Sequence, residues 1–495
     1  MDSGAGRVWL DRGGEPKARW MTDAGIPEFP ERAVLQANDC VLCIGEGAVG
    51  RRGGRSDRAL LAISPSFRIG SRASAAISPW LMNRSADLFA LLKNEEIERR
   101  LLREGLAADF GSGLSAGQAS SSRRYTVTVF DLAVVDMQRV YSRSKLINGV
   151  NYISENMQNQ LIDDRLRNII AKAAVRALYI VGLDFGQVDL ELDDWGRATI
   201  VAVHTRMSPS KGEGEKTLAE AVAGFAATWM AEMLGRVNVT LGADPEFIML
   251  APDGKVVPAS RYFPRDGDAG CDSVVIRGVR RWPLAELRPA PATEPAAVAA
   301  DVRRLLTAAA RRTAGAKLAW RAGAGPVRGL PLGGHVHISG AALTGERLRA
   351  LDNAVALPLR LLEPPSAAAR RPRFGALGDF RRQSHGGFEY RTPPSWLVSP
   401  RLACGALALA KVAAEHAREL AAHRPLDEDY VRDAFYAGDR DVLLAGMAKV
   451  RAVLASTSGY LKYESLIAPL FDAIDRNRTW NETTDLRERW GITVT

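Results

Sequence analysis

Leu241-Gly-Ala-Asp-Pro-Glu-Phe-Ile-Met-Leu250 places Asp244 and Glu246 two residues apart, with apolar residues on either side. On an extended chain, positions i and i+2 face the same way while their neighbours face the opposite way. The pattern recurs three times further on. Glu286 and Arg288 lie in Ala285-Glu-Leu-Arg-Pro289, His335 and His337 in Gly333-Gly-His-Val-His-Ile338, and Glu389 and Arg391 in Gly387-Phe-Glu-Tyr-Arg391. If the four strands share one sheet, a single face carries one Asp, three Glu, two His and two Arg.

Such a face is hard to bury without ligands. Converging carboxylates and imidazoles repel and lose solvation unless cations neutralise them. Carboxylate oxygens suit Mg²⁺ or Mn²⁺, and imidazole tolerates the latter. Arg288 and Arg391, with Arg381 and Arg382 nearby, suit the phosphate oxygens that such metals bridge. A lone His-x-His usually means a solvated, salt-bridged strand. Four such pairs, two of them beside Gly-Gly steps that admit a ligand or another backbone, favour a ligand site.

Around this core the chain reads as mixed α+β. The stretch from Asn238 gives a hairpin over Pro252-Asp-Gly254, a strand near 284–288 and a helix over 296–312. A strand at 333–338, a helix over 343–362, a strand at 387–392 and helices to the end follow. Upstream, 81–107 has a helical pattern and 111–123 is a Gly/Ser-rich linker. Tyr125–Val135 is a strand pair and Asn159–Val181 a helix stopped by Gly182. Strands Val188–Leu192 and Ala198–His204 precede a helix over 216–234. The division between halves falls near residue 236, and residues 1–123 carry little readable pattern.

At 495 residues with 46% hydrophobic and 25% charged content, the chain can bury two or more cores. Its 66 Lys and Arg exceed its 57 Asp and Glu by nine. That excess is small for the length, and no basic block with interleaved aromatics marks a nucleic-acid surface. Four cysteines do not make a disulfide framework. The N-terminus lacks an apolar signal core, and no run reaches the roughly 18 apolar residues of a membrane span. A cytoplasmic location is therefore expected, with no membrane or nucleic-acid partner.

At the paired residues the sequence resembles the amidoligases of glutamine-synthetase-like fold, in particular the phage-type COOH–NH2 ligases. Asp244-Pro-Glu246, Gly333-Gly-His335-Val-His337 and Glu389-Tyr-Arg391 are similar to that group's acidic-x-acidic, His-x-His and Glu-x-Arg strands. Glu286-Leu-Arg-Pro289, Gly378-Asp-Phe-Arg381-Arg-Gln-Ser-His385-Gly-Gly387 and the tail Trp480–Trp490 extend the resemblance over about 238–495. One departure is Asp244, where glutamine synthetases have Glu. The resemblance implies an antiparallel or mixed sheet with flanking helices, and ATP with Mg²⁺ or Mn²⁺ as cofactors. It implies Asp244, Glu246, Glu286, His335 and Glu389 as metal ligands. His337, Arg381 and Arg391 would contact the nucleotide phosphate or an acyl phosphate. Arg288 fits equally as a structural partner of a metal-bound carboxylate. The activity implied is ADP-forming carboxylate–amine ligation on an amino-acid or peptide substrate. The alternative is a non-catalytic nucleotide- or metal-binding scaffold of the same descent. Homo-oligomerisation stays open.

The half before residue 236 resembles the core of an ATP-grasp domain in Ala173–Pro209, preceded by Tyr125–Arg139. The active family has a Glu-x-Asn metal pair on the return strand, where this chain has Ala202-Val-His204. Asp189 keeps the other acidic position. The departure implies a degenerate ATP-grasp-like region with core 124–236, in which a satisfied strand residue is the favoured reading of His204 and a remaining ligand the alternative.

Other signals carry less. Gly45-Glu-Gly-Ala-Val-Gly50 matches G-x-G-x-x-G but leads into Arg51-Arg-Gly-Gly rather than a helix. Cys40-Val-Leu-Cys43 has no second pair to complete a zinc site. His416 and His423 lie in an Ala-rich helical stretch. Asp266, Asp268 and Asp272 lie in a Gly-containing loop before Glu286; a solvated acidic loop is the default reading, and contact with metal or the substrate amine is the alternative. Substrate specificity is expected in the loops 259–283 and 364–380.

Overall fold

The structure, a computed structural model, describes residues 6–30, 34–45, 77–111, 123–140 and 163–493. Most of the Gly/Ser-rich linker expected over 111–123, most of the Gly45–Gly50 motif and the start of the 159–181 helix lie outside these residues. The fold is mixed α+β, and the described chain falls into two compact units, the first ending at Leu234 and the second beginning at Gly235.

The first unit contains a parallel sheet of β1 (Val8–Asp11), β2 (Cys40–Cys43) and β3 (Trp80–Met82). Cys40 and Cys43 are free and buried on β2. Its second sheet has the order β4-β8-β7-β5-β6, formed by β4 (Ala107–Ala108), β5 (Arg123–Phe130), β6 (Ala133–Val140), β7 (Phe185–Leu192) and β8 (Ala198–His204). The helix Asp164–Ile180 and the helix Glu213–Leu234 complete the unit. The helix expected over 81–107 is broken into Ala86–Ala90 and Asn94–Arg103 behind β3. Asn83 is the cause. It adopts a left-handed φ of 61°, and its buried amide bridges the backbones of Asp184 and Phe185. That bridge satisfies strand ends that a continuous helix would leave unpaired.

The second unit holds the four polar pairs, on two sheets rather than one. β9 (Thr240–Ala243), β15 (Val336–Ser339), β16 (Phe380–Arg382) and β17 (Phe388–Tyr390) form an antiparallel sheet in the order β16-β17-β15-β9. The other sheet has the order β11-β10-β13-β12, with β14 (Ala319–Arg321) also paired to β10. Its strands are β10 (Glu246–Leu250), β11 (Val256–Val257), β12 (Ala269–Ile276) and β13 (Val279–Leu287). The Asp244-Pro-Glu246 segment, expected as one strand, is the crossing between them. Pro245 has no N–H for a ladder, and the chain leaves β9 there. It remains held to the His-x-His lead-in by Asp244 N–H to His335 O at 3.3 Å and Glu246 N–H to Gly333 O at 2.9 Å.

Phe247 stacks on Trp320 with centroids 4.6 Å apart, and Ile248, Leu284 and Leu332 form a buried cluster behind the acidic ends of β10 and β13. Helix Pro295–Arg312 and helix Pro400–Glu415 flank the sheets. The segment 345–362 is helical with one wide turn at Asp352–Ala356. Among the described residues, no helix is long and apolar enough to cross a membrane.

Candidate metal centre

Cross-strand register assembles the first cluster. On the four-stranded sheet Arg381, Glu389, His337 and Gly242 lie in one row across β16, β17, β15 and β9. Gly242 leaves room there, since a Cβ would stand 3.3 Å from that of His337. Asp244, just past the end of β9, comes within 3.0 Å of His335 Nδ1 and 3.3 Å of His337 Nε2. His335 Nδ1 is also 3.3 Å from Glu389. Donor atoms of Asp244, His337 and Glu389 all fall within 4.8 Å of one another.

Glu389 is 1% exposed and is held by Arg391, by Arg381 at 3.1 Å and by Gln383 at 3.3 Å. The two arginines expected at a phosphate thus both grip this carboxylate. Arg381 keeps a largely exposed side chain while doing so.

The second cluster forms where β10, β13 and β12 pair. Glu286 lies opposite Glu246 on one side and Gly270 on the other. Asp272, two residues along β12, joins them, and the three carboxylates again have donor atoms within 4.8 Å. Glu246 accepts the Gly333 N–H at 2.6 Å. Arg288 pairs with Glu286 and donates to Gly267 O at 2.8 Å. A Cβ at Gly270 would collide with that guanidinium at 2.4 Å, so Arg288 has the structural role at Glu286 that its spacing allowed.

Asp272 was read as part of a solvated loop; it lies half-buried on β12, while Asp266 and Asp268 are exposed. The signal for it is Val274-Val-Ile-Arg-Gly-Val279. Arg277 and Gly278 both take positive φ, the requirement of a two-residue hairpin turn, which folds β12 back along β13. The Gly-Gly steps also have definite causes. His335's own ring would meet a Cβ at Gly333 at 2.5 Å, and Pro394 O would meet one at Gly334 at 2.2 Å.

The electrostatics of the two clusters differ. Burial works to raise the Asp244 carboxyl, but the imidazoles of His335 and His337 outweigh it and hold the group well below the usual range. For His337, burial opposes and Asp244 with Glu389 prevails, so its pKa is raised. In the second cluster burial and mutual repulsion act together. Glu246 is pushed well above the carboxylate range, by burial first and then by Asp272, Glu286 and Asp244 against the Gly333 N–H. Glu286 is raised to about 7 by burial and by Asp244 and Asp272, with Arg288 pulling the other way.

The donor set fits divalent cations. Asp244 Oδ1, His335 Nδ1 and His337 Nε2 are buried without an aligned hydrogen-bond partner, although His335 Nδ1 lies 3.0 Å from Asp244 Oδ1 and His337 Nε2 3.3 Å from Asp244 Oδ2. Close approach without alignment is the geometry of groups directed at a shared centre. Two buried carboxylates and the half-buried Asp272 have one arginine, on Glu286, to offset their charge, and oxygen-only donors suit Mg²⁺. The mixed N and O donors beside them also suit Mn²⁺.

In the first unit, His204 Nε2 sits 3.3 Å from Asp189, which also accepts from Thr126 Oγ at 2.7 Å. Burial opposes the shift of each group, but their contact lowers the Asp189 carboxyl and raises His204. His204 borders a cavity of about 420 Å³ with Phe89, Gln187 and Arg206. Among the described residues, no third group of metal donors accompanies the two clusters of the second unit. His416, set aside in the sequence, is hydrogen-bonded by Gly459 N–H and paired with Glu419.

Residues 241–492, just over half of the chain, match the family described as phage phiEco32-like COOH.NH2 ligase-type 2. No curated protein matches the chain. Two solved structures, "Apo GmaS without ligand" and "GmaS/ADP complex-Conformation 1", are each 16% identical over 56% of this chain and 80% of theirs. Their TM-scores of 0.27 and 0.26 give that likeness no weight.

Proposed function

Because the chain belongs to the phage phiEco32-like COOH–NH2 ligase type 2 family, we propose that its second unit joins a carboxylate to an amine with hydrolysis of ATP to ADP and phosphate. The observation that carries this reading is the junction of two donor clusters at Asp244-Pro-Glu246, with buried donor atoms left unpartnered. The arrangement supports a glutamine-synthetase-like site with Mg²⁺ or Mn²⁺ as cofactor. Asp244, His335, His337 and Glu389 would hold one cation, and Glu246, Asp272 and Glu286 the other. When bound, the cations supply positive charge against which a transferring phosphoryl group is stabilised.

The chain's own residues do the rest. Arg381, exposed apart from its contact with Glu389, can turn toward a phosphoryl oxygen. Arg391 and Gln383 keep Glu389 fixed while it does so. A substrate carboxylate oxygen attacks the γ-phosphorus, the bond to the β,γ-bridging oxygen breaks, and ADP leaves. An amine nitrogen then attacks the acyl carbon, the carbon–oxygen bond to phosphate breaks, and the amine proton passes to a base. The substrate class we favour is an amino acid or peptide. The first unit is read as an ATP-grasp-like domain without catalytic competence, since Asp189 is engaged by His204 and Thr126.

The test is ADP release from Mg²⁺–ATP in the presence of pooled amino acids, polyamines and cell-wall peptides. Turnover should appear with at least one acceptor and fall by about a thousandfold in Glu246→Ala and in Glu389→Ala. Undiminished turnover in both variants would refute the site. Binding of ATP without ADP release under every acceptor would favour the scaffold reading.

A further inference from the structure

Arg370 ends the short helical turn Pro365–Arg370, between the strand that carries His337 and the strand that carries Glu389. It is 8% exposed, and its Nε and Nη1 are buried with no acceptor. Nearby buried arginines each have at least one acceptor, although Nη2 of Arg360 also lacks one. Arg371 forks onto Glu363 at 2.6 and 2.7 Å, and Arg360 donates to Phe435 O at 2.9 Å. A guanidinium offers five donors in a rigid plane and stays charged in proteins. Leaving it desolvated and unpaired is among the more costly states a side chain can occupy.

Acids surround Arg370 without touching it. Burial and the like charge of Arg371 draw its pKa down to about 10, against the pull of Glu363, Glu246 and Glu482. Each of those carboxylates is already committed. Glu363 is taken by Arg371, and Glu246 by the Gly333 N–H. Glu482 accepts from the N–H groups of Ala324 and Gly325 and from the Trp480 indole. Arg370 is also fixed in place. Its carbonyl accepts from Phe374 N–H at 2.9 Å. Gly375, at φ +69°, lies so close that a Cβ there would stand 3.1 Å from the Arg370 Cζ.

We propose that Arg370 is an anion-binding residue of the candidate site, whose missing acceptors are supplied by a planar or tetrahedral oxyanion of the substrate, carboxylate or phosphoryl. This role deepens the ligase reading and rests on it for the source of the anion. A Cβ on Gly375 would meet both the Arg370 guanidinium, at 3.1 Å, and the Thr392 carbonyl, at 3.0 Å, which sets Arg370 beside the chain leaving the strand of Glu389.

The experiment titrates the full-length protein in Mg²⁺ with inorganic phosphate and, separately, with succinate, reading melting temperature and calorimetric affinity. Wild type should be stabilised by at least one of the two, phosphate identifying a phosphoryl site and succinate a carboxylate site. Arg370→Met should melt above wild type without anion, because an uncompensated charge is replaced by an apolar chain. It should bind the same anion at least tenfold more weakly. Arg370→Lys keeps the charge without the fork and should recover only part of the affinity; it also serves if the Met variant does not fold. Wild-type anion affinity in both variants would overturn the assignment, as would failure of both anions to bind wild type. Anion binding lost with Arg370, in a protein that forms no ADP with any acceptor, would sink the ligase reading and leave the anion site standing.

Discussion

The two donor clusters of the second unit are built from similar acids and stand at adjoining sheet ends, yet they hold charge in opposite ways. Asp244 and Glu389 are surrounded by His335, His337, Arg381 and Arg391. Of Glu246, Asp272 and Glu286, Glu286 has the one arginine contact shown among the described residues, with Arg288. The first cluster is close to neutral as a protein assembly, whereas the second reaches neutrality only by holding protons or binding a cation. Burial is common to both, so the difference lies in which residues face the acids.

The largest consequence is a pH dependence led by the second cluster. Glu286 has an ordinary pKa of 4.5 and is raised to about 7 in the fold. A raised carboxyl binds its proton more tightly in the folded state. Its stabilising contribution is therefore complete below pH 4.5 and is lost as pH rises through about 7. The interval corresponds to about 3 kcal/mol. His337 acts in the same direction, since its raised pKa contributes stability below 6.5 that disappears at higher pH. Melts in chelator should thus show lower stability at pH 8 than at pH 5.5. Glu286→Gln should flatten the profile, and Mn²⁺ should do the same. An unchanged slope in that variant would erase the contrast between the clusters.

A smaller effect sharpens the comparison. Asp272→Asn should weaken one of two Mn²⁺ ions by about 10–100-fold and leave the other in place, as counted by electron paramagnetic resonance. Equal loss of both ions would show the clusters to be one site. The smallest effect is expected in the first unit. The Asp189–His204 pair has a half-exposed imidazole, so His204→Ala should change stability by less than about 1 kcal/mol and leave ADP formation unaltered. A tenfold fall in turnover would give that unit a part in catalysis.

Much of the second unit was legible in its sequence. Period-two spacing gave the strands that carry His337 and Glu389, and it gave the face on which those two side chains lie; His335 stands just before its strand. It could not tell which sheet each strand joins, because side-chain alternation is the same in any sheet. The missing N–H of Pro245 was the local hint of the crossing, and its meaning depended on the partner strands. Asp272 was hidden because Asp266-Gly-Asp-Ala-Gly270 has loop composition, and the turn that orders it comes at Arg277-Gly278. Asn83 broke a helical pattern through partners about a hundred residues away. Arg370 sits in an Arg-rich loop that reads as solvated, and only tertiary burial sets it apart.

Asp244-Pro245-Glu246 sends one acid into each cluster from a three-residue span, so the two Cα atoms are roughly 7 Å apart on an extended chain. This short link acts as a yoke. Any movement of the peptide that shifts one carboxylate must carry the other with it, because the Gly333 and His335 carbonyls hold both ends. Occupancy of one cluster should therefore prepare the geometry of its neighbour, and the protein would fill both positions together more readily than either alone.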